Sequence, residues 1–132
     1  MVSPPLSARK CQPCESGAEP LPPSAAQQLL RDVKDWELID LPAPVALLRK
    51  AKHAGAQTGG KAIRKMVKCK DFLDAASLIQ KIAPIAEAED HHPDLHLTGY
   101  RNLTIELSTH AIGGLSENDF ILAAKIDQLL PR

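Results

Sequence analysis

The strictest demand this chain places on its own fold lies at residues 103–108, where Leu103, Ile105 and Leu107 alternate with Thr104, Glu106 and Ser108. A period of two sends the apolar side chains to one side of an extended segment and the polar ones to the other. A strand of that kind belongs to a sheet covered on one face only. Other short runs obey the same rule. Ile63, Lys65, Val67 and Cys69 alternate with Arg64, Met66, Lys68 and Lys70, and Trp36 and Leu38 alternate with Glu37 and Ile39. A further strand starts at His96 and Leu97 and is interrupted by Gly99.

Between these runs the period lengthens to that of a helix. Ser24 is positioned to cap a first helix over 25–33, in which Leu29, Leu30 and Val33 form the apolar stripe. Asp71 caps a second that keeps Phe72, Ala75, Ala76, Ile79, Ile82, Ala83 and Ala86 on one side and runs to about Glu89, with Pro84 loosening a turn inside it. Ser116, Glu117, Asn118 and Asp119 open a third as a capping box, and Ile121, Leu122, Ile126 and Leu129 give it an apolar face. The order is α-β-β-α-β-β-α. An α+β fold follows: a single four-stranded antiparallel sheet with three helices packed on one face.

A chain of 132 residues holds one core. Only four aromatics are present, so that core is made of Leu, Ile, Val and Ala. Residues 1–23 contain Pro4, Pro5, Pro13, Pro20, Pro22 and Pro23 among few apolar groups, which reads as a flexible Pro-rich arm before a single domain at 24–132. Cys11 and Cys14 form a lone C-x-x-C in the arm, short of the four ligands of a closed zinc site, so free thiols are the plainer reading. Three cysteines make no paired framework and fit a reducing, cytoplasmic setting, and no run is apolar enough to span a membrane.

Sixteen basic and sixteen acidic residues cancel, leaving no general attraction for nucleic acid or an anionic membrane. The cancellation is uneven along the chain. Residues 42–70 carry eight Lys or Arg and no acid, and 42–60 within them reads as an inserted loop broken by Gly55, Gly59 and Gly60. Such a stretch is either a solvated loop and edge or the contact for an acidic protein partner.

Chemistry is concentrated at residues 87–110, which hold four of the five histidines. Glu87 lies one helical turn before His91, the adjacent His92 must point elsewhere, and His110 follows the alternating strand. Imidazole both gives and takes protons near neutral pH, so these groups suit proton transfer. Three histidines with a carboxylate also suit a metal, and spacing alone leaves both readings open.

The pattern Glu87-x-x-x-His91-His92-Pro93, followed by Tyr100, His110 and Asp119, resembles the signature of the pterin-4a-carbinolamine dehydratases. The run THAIGGLSENDFILAAKID at 109–127 is typical of that family's carboxyl end, and the resemblance extends over 36–130. It implies the fold given above, association as a homodimer or homotetramer, and dehydration of a 4a-hydroxytetrahydrobiopterin to quinonoid dihydrobiopterin with neither metal nor cofactor. By the same resemblance His91, His110 and Glu87 are catalytic, His91 and His110 as the acid/base pair and Glu87 as the positioning group. His92 and Asp119 are substrate-binding, although the place of Asp119 in a helix cap explains it as well. His96 matches no catalytic position of the family. The family also includes protein-binding factors, among them assembly factors for Rubisco in plastid stroma or carboxysomes, and the basic insertion is the feature such a role would use.

Overall fold

The computed structural model describes residues 4–12, 19–40 and 61–130, with the backbone alone described at His110. A 3-10 turn, Leu6–Ala8, precedes α1 (Pro23–Leu30), β1 (Glu37–Asp40), β2 (Lys61–Lys68), α2 (Phe72–Glu89), β3 (Asp94–Thr98) and β4 (Asn102–Leu107). A second 3-10 turn, His110–Ile112, leads into α3 (Glu117–Asp127). The order is the one the two periodicities demand.

The strands make one antiparallel sheet in the order β1-β2-β4-β3. Leu103, Ile105 and Leu107 of β4 are fully buried, while Asn102, Thr104 and Glu106 occupy its half-exposed face. Ile105 stands between Lys65 of β2 and Leu95 of β3 in register, at the centre of the sheet. Onto this face pack Ala75, Leu78 and Ile82 of α2 with Phe120, Leu122 and Ile126 of α3. Trp36 is buried at the edge of the cluster, and its indole N–H donates to Asp127 Oδ1 at 3.0 Å.

The caps are partly as the sequence indicates. Asp71 accepts from Asp74 N at 2.8 Å, and α2 continues through the exposed Pro84 to Glu89. Ser116 and Asp119 close a complete capping box on α3. Ser24, by contrast, does not cap α1, which starts at Pro23 with no side-chain cap bond. Proline at the first helical position has its φ preset and lacks the N–H that a cap would satisfy.

The described part of the supposed arm is held to the domain. Leu6 is 5% exposed and joins the core cluster, Lys125 Nζ donates to Ser7 O at 3.0 Å, and Arg9 pairs with Glu117 at 2.6 Å. A second point of attachment follows at residue 21, where Leu21 N donates to Leu115 O at 2.8 Å. The single leucine, with few apolar neighbours in sequence, gives no periodicity from which this docking could be read. The expected loop at 42–60 lies outside the described residues. Of the basic stretch that is described, Lys61 pairs with Asp40, Arg64 with Glu37 at 2.7 Å and Lys65 with Asp127 at 2.8 Å. Three basic side chains of β2 are thus balanced by the chain's own acids.

Replacing Ile105 by alanine should cost about 2–5 kcal/mol in urea unfolding, since the cavity would open at the fully packed centre of the sheet. Met66→Ala on the exposed side of the neighbouring strand should change stability by no more than about 0.5 kcal/mol. Equal losses at both positions would mean that the buried face has been wrongly assigned.

Candidate functional site

The end of α2 sets the two adjacent histidines apart. Asp90 adopts the left-handed conformation, φ 51°, and the backbone closes on itself: Asp90 N donates to Glu87 O at 3.3 Å and His91 N to Ala86 O at 3.1 Å. This paired termination satisfies the last helical carbonyls and swings the chain off the helix axis. Aspartate is one of the few non-glycine residues that tolerates the conformation. His91 therefore no longer sits on the helical face four residues after Glu87. It is His92 that meets Glu87, Nε2 to Oε2 at 2.5 Å, and both side chains are more than half exposed.

His91 is taken up by α3 instead. Its Nε2 lies 2.6 Å from Asp119 Oδ1, with the imidazole side chain 11% exposed and the carboxylate wholly buried. Asp119 Oδ2 accepts from Thr109 Oγ1 at 2.8 Å and from Ser116 N at 3.0 Å. Every one of these contacts supplies a donor, as a buried carboxylate requires. Nε2 of His91 is the ring nitrogen turned to this carboxylate, which leaves Nδ1 as the nitrogen it does not engage. Asp119, expected to bind substrate, is fully enclosed and touches His91 instead. The capping role that the sequence makes plain uses one of its oxygens; the other was left for a residue 28 positions away.

The third histidine follows the alternating strand, at the start of a 3-10 turn. β4 ends at Leu107, and Thr109 N then pairs with Gly114 O at 2.8 Å to close a small loop with His110 at the start of its 3-10 turn. A Cβ on Gly114 would come within 2.7 Å of Pro20, which ties this loop to a glycine. His96, on the exposed side of β3, pairs with Glu106 at 2.8 Å and is not among the lining residues of the cleft described next.

A cleft of about 630 Å³ collects the pieces. It is lined by residues 89–92 after α2, by 108, 109 and 111 on either side of His110, by Asn118 on α3, and by residues 10–12 of the amino-terminal segment. The last group was not foreseen. Cys11 N donates to Glu89 Oε1 at 2.7 Å, and its thiol donates to Asn118 O at 3.6 Å. Burial, reinforced by the adjacent Glu89 carboxylate, pushes the Cys11 thiol up to about 12. The same Cys11 N–H holds Glu89 below the usual carboxylate range, with Lys125 and Lys10 acting in the same sense against its partial burial.

Residues 19–129 match the family model described as pterin 4 alpha carbinolamine dehydratase. The chain is 42% identical over 125 residues to the mitochondrial pterin-4-alpha-carbinolamine dehydratase 2 of Arabidopsis thaliana, covering 94% of this chain and 58% of that protein. It thus spans little more than half the length of that relative. A Halorhodospira halophila protein provisionally named for the same dehydratase is 38% identical, with 94% of this chain and 96% of its own length covered. Among solved structures, a transcriptional coactivator/pterin dehydratase from Brucella melitensis superposes with a TM-score of 0.65 at 26% identity, over 84% of this chain and 98% of that one. No helix among the described residues is long and apolar enough to cross a membrane.

Cys11 should resist iodoacetamide at pH 8 in the folded protein and label readily once the chain is unfolded, as peptide mapping by mass spectrometry would show. A thiol raised to about 12 is protonated throughout the neutral range. The favoured protonated form stabilises the fold fully below the ordinary thiol pKa, and that contribution is lost as the pH rises through the folded value. Rapid labelling of native Cys11 at pH 8 would contradict its burial.

Proposed function

The chain belongs to the pterin 4 alpha carbinolamine dehydratase family, and from that premise we propose that it removes water from a 4a-hydroxytetrahydropterin. The observation that carries the reading is the 2.6 Å contact between His91 Nε2 and the buried Asp119, made at the wall of a cleft large enough for a bicyclic heterocycle. With Nε2 held by the carboxylate, Nδ1 is the nitrogen that exchanges protons with a ligand.

Dehydration needs a proton delivered to the departing 4a-hydroxyl and another removed from N5. The C4a–O bond breaks, its electron pair leaves with oxygen as water, and the N5–H pair becomes the C4a=N5 bond of the quinonoid dihydropterin. His91 and His110 share the two transfers, imidazole being a side chain that can both give and take a proton. Thr109 and Ala111, which flank His110, line the same cleft as His91, which supports that pairing. His92 forms part of the wall, and Glu87 fixes the direction of its ring.

The family resemblance further carries association into a homodimer or homotetramer. Phe72 and Leu73 at the start of α2 and Tyr100 in the β3–β4 turn are large apolar groups left exposed, as an interface between subunits would require. Light scattering on the purified protein measures this directly, and a monomer at micromolar concentration would remove the inference.

Stopped-flow measurement of dehydration should show acceleration by the wild type and a loss of about 10²–10⁴ in kcat for His91→Ala. Asp119→Asn should also lower kcat while its amide oxygen still accepts from Ser116, because the contact that orients His91 is altered. A wild type no faster than solution, or indistinguishable from His91→Ala, would overturn the proposal.

A further inference from the structure

The cleft has a wall that the family match does not contain. The match begins at residue 19, whereas residues 10–12 line the cleft and come from the preceding segment. Their backbone is fixed from two sides. Asn118 accepts from Gln12 N at 2.9 Å and donates to Gln12 O at 2.5 Å, while Glu89 accepts from Cys11 N at 2.7 Å. Asn118 is 6% exposed, so its carboxamide is committed to this segment and leaves little room for a different path of the chain.

A second cavity of about 480 Å³ lies along the same segment and shares Lys10, Gln12 and Asn118 with the first. The rest of its lining includes Arg9, Ser116, Glu117 and Ile121. Arg9 is already engaged by Glu117 at 2.6 Å, and Ser116 by the capping box. Lys10 and Gln12 have exposed side chains where the two spaces adjoin; Gln12 Nε2 donates to Lys10 O at 3.4 Å, and the Lys10 ammonium with the second N–H of the Gln12 amide brings donors to that boundary.

The geometry points to a substituent subsite: Lys10 and Gln12, held in place by Asn118, bind the oxygen-bearing chain carried by the pterin ring and lead it into the second cavity. This rests on the proposed binding of a pterin in the main cleft. His91 and its partners handle the ring and are indifferent to what hangs from it. An ammonium and a carboxamide prefer acceptor oxygens, either hydroxyls or a carboxylate, over a methyl group. Asn118 is a positioning residue, since its own hydrogen bonds go to the Gln12 backbone.

Calorimetric binding of three unreactive 7,8-dihydropterins, bearing a 6-methyl, a 6-dihydroxypropyl or a 6-carboxyl group, tests the subsite without relying on turnover. The wild type should bind at least one oxygenated ligand about tenfold more tightly than the methyl one. The doubly substituted K10A/Q12A protein, changed only at exposed positions, should bring that ratio close to one. Asn118→Ala should do the same by releasing the segment, with circular dichroism reporting whether the helix survives. A stronger loss for the carboxyl ligand would assign the contact to Lys10, and a stronger loss for the diol to both residues. A wild type without preference, or a preference untouched by K10A/Q12A, would overturn the inference. Failure of the dehydratase reading would show separately, as absence of turnover of a 6-methyl substrate.

Discussion

Much of this molecule turns on how a single buried carboxylate is satisfied. Asp119 has no exposure to water, so each of its oxygens must find donors within the protein. One oxygen takes the Ser116 amide and the Thr109 hydroxyl, which ties the start of α3 to the segment after β4. The other takes His91, which ties both to the end of α2. Three elements remote in sequence are thereby brought to one point, and that point is where the imidazole is presented to the cleft. The donor set that makes burial of the carboxylate tolerable is the same one that holds the imidazole against α3.

The turn after α2 is the second constraint. Had the helix continued by even one turn, His91 would have lain on the same face as Glu87 and outside the reach of α3. The left-handed Asp90 ends it at the right place and separates His91, enclosed against Asp119, from His92, exposed beside Glu87. Two identical side chains thus acquire different surroundings through one backbone torsion. The order of partners, Asp119 with His91 and Glu87 with His92, is a consequence of that torsion and not of spacing along a helix.

The amino-terminal segment shows how a chain can enlarge a site without altering its sheet. Its buried anchors are Leu6 and Cys11, and the remainder is held by hydrogen bonds and an ion pair to α3 and to Glu89. Such bonds are individually modest, and they succeed here because several act over nine consecutive described residues, 4–12. Asn118 and Asp119, neighbours in the first turn of α3, divide the work: one fixes the added wall and the other the histidine.

What the sequence determined by itself was the architecture, and it singled out the histidines as candidates. Alternation at 103–108 and the caps at Asp71 and Ser116 are local signals, since side-chain period and helix termination depend on neighbours a few residues away. Glu87, His91, His92, His110 and Asp119 were legible as a set because their pattern resembles a family signature. Which of them touch was decided only in three dimensions. The pairing of His91 with Asp119 spans 28 positions, and that of Gln12 with Asn118 spans 106, distances over which periodicity carries no information. The docking of residues 4–12 likewise depends on polar groups that α3 and α2 present only after they have packed on the sheet. Local chemistry chose the elements; the burial of a charge and the closing of the backbone at Asp90 chose the site.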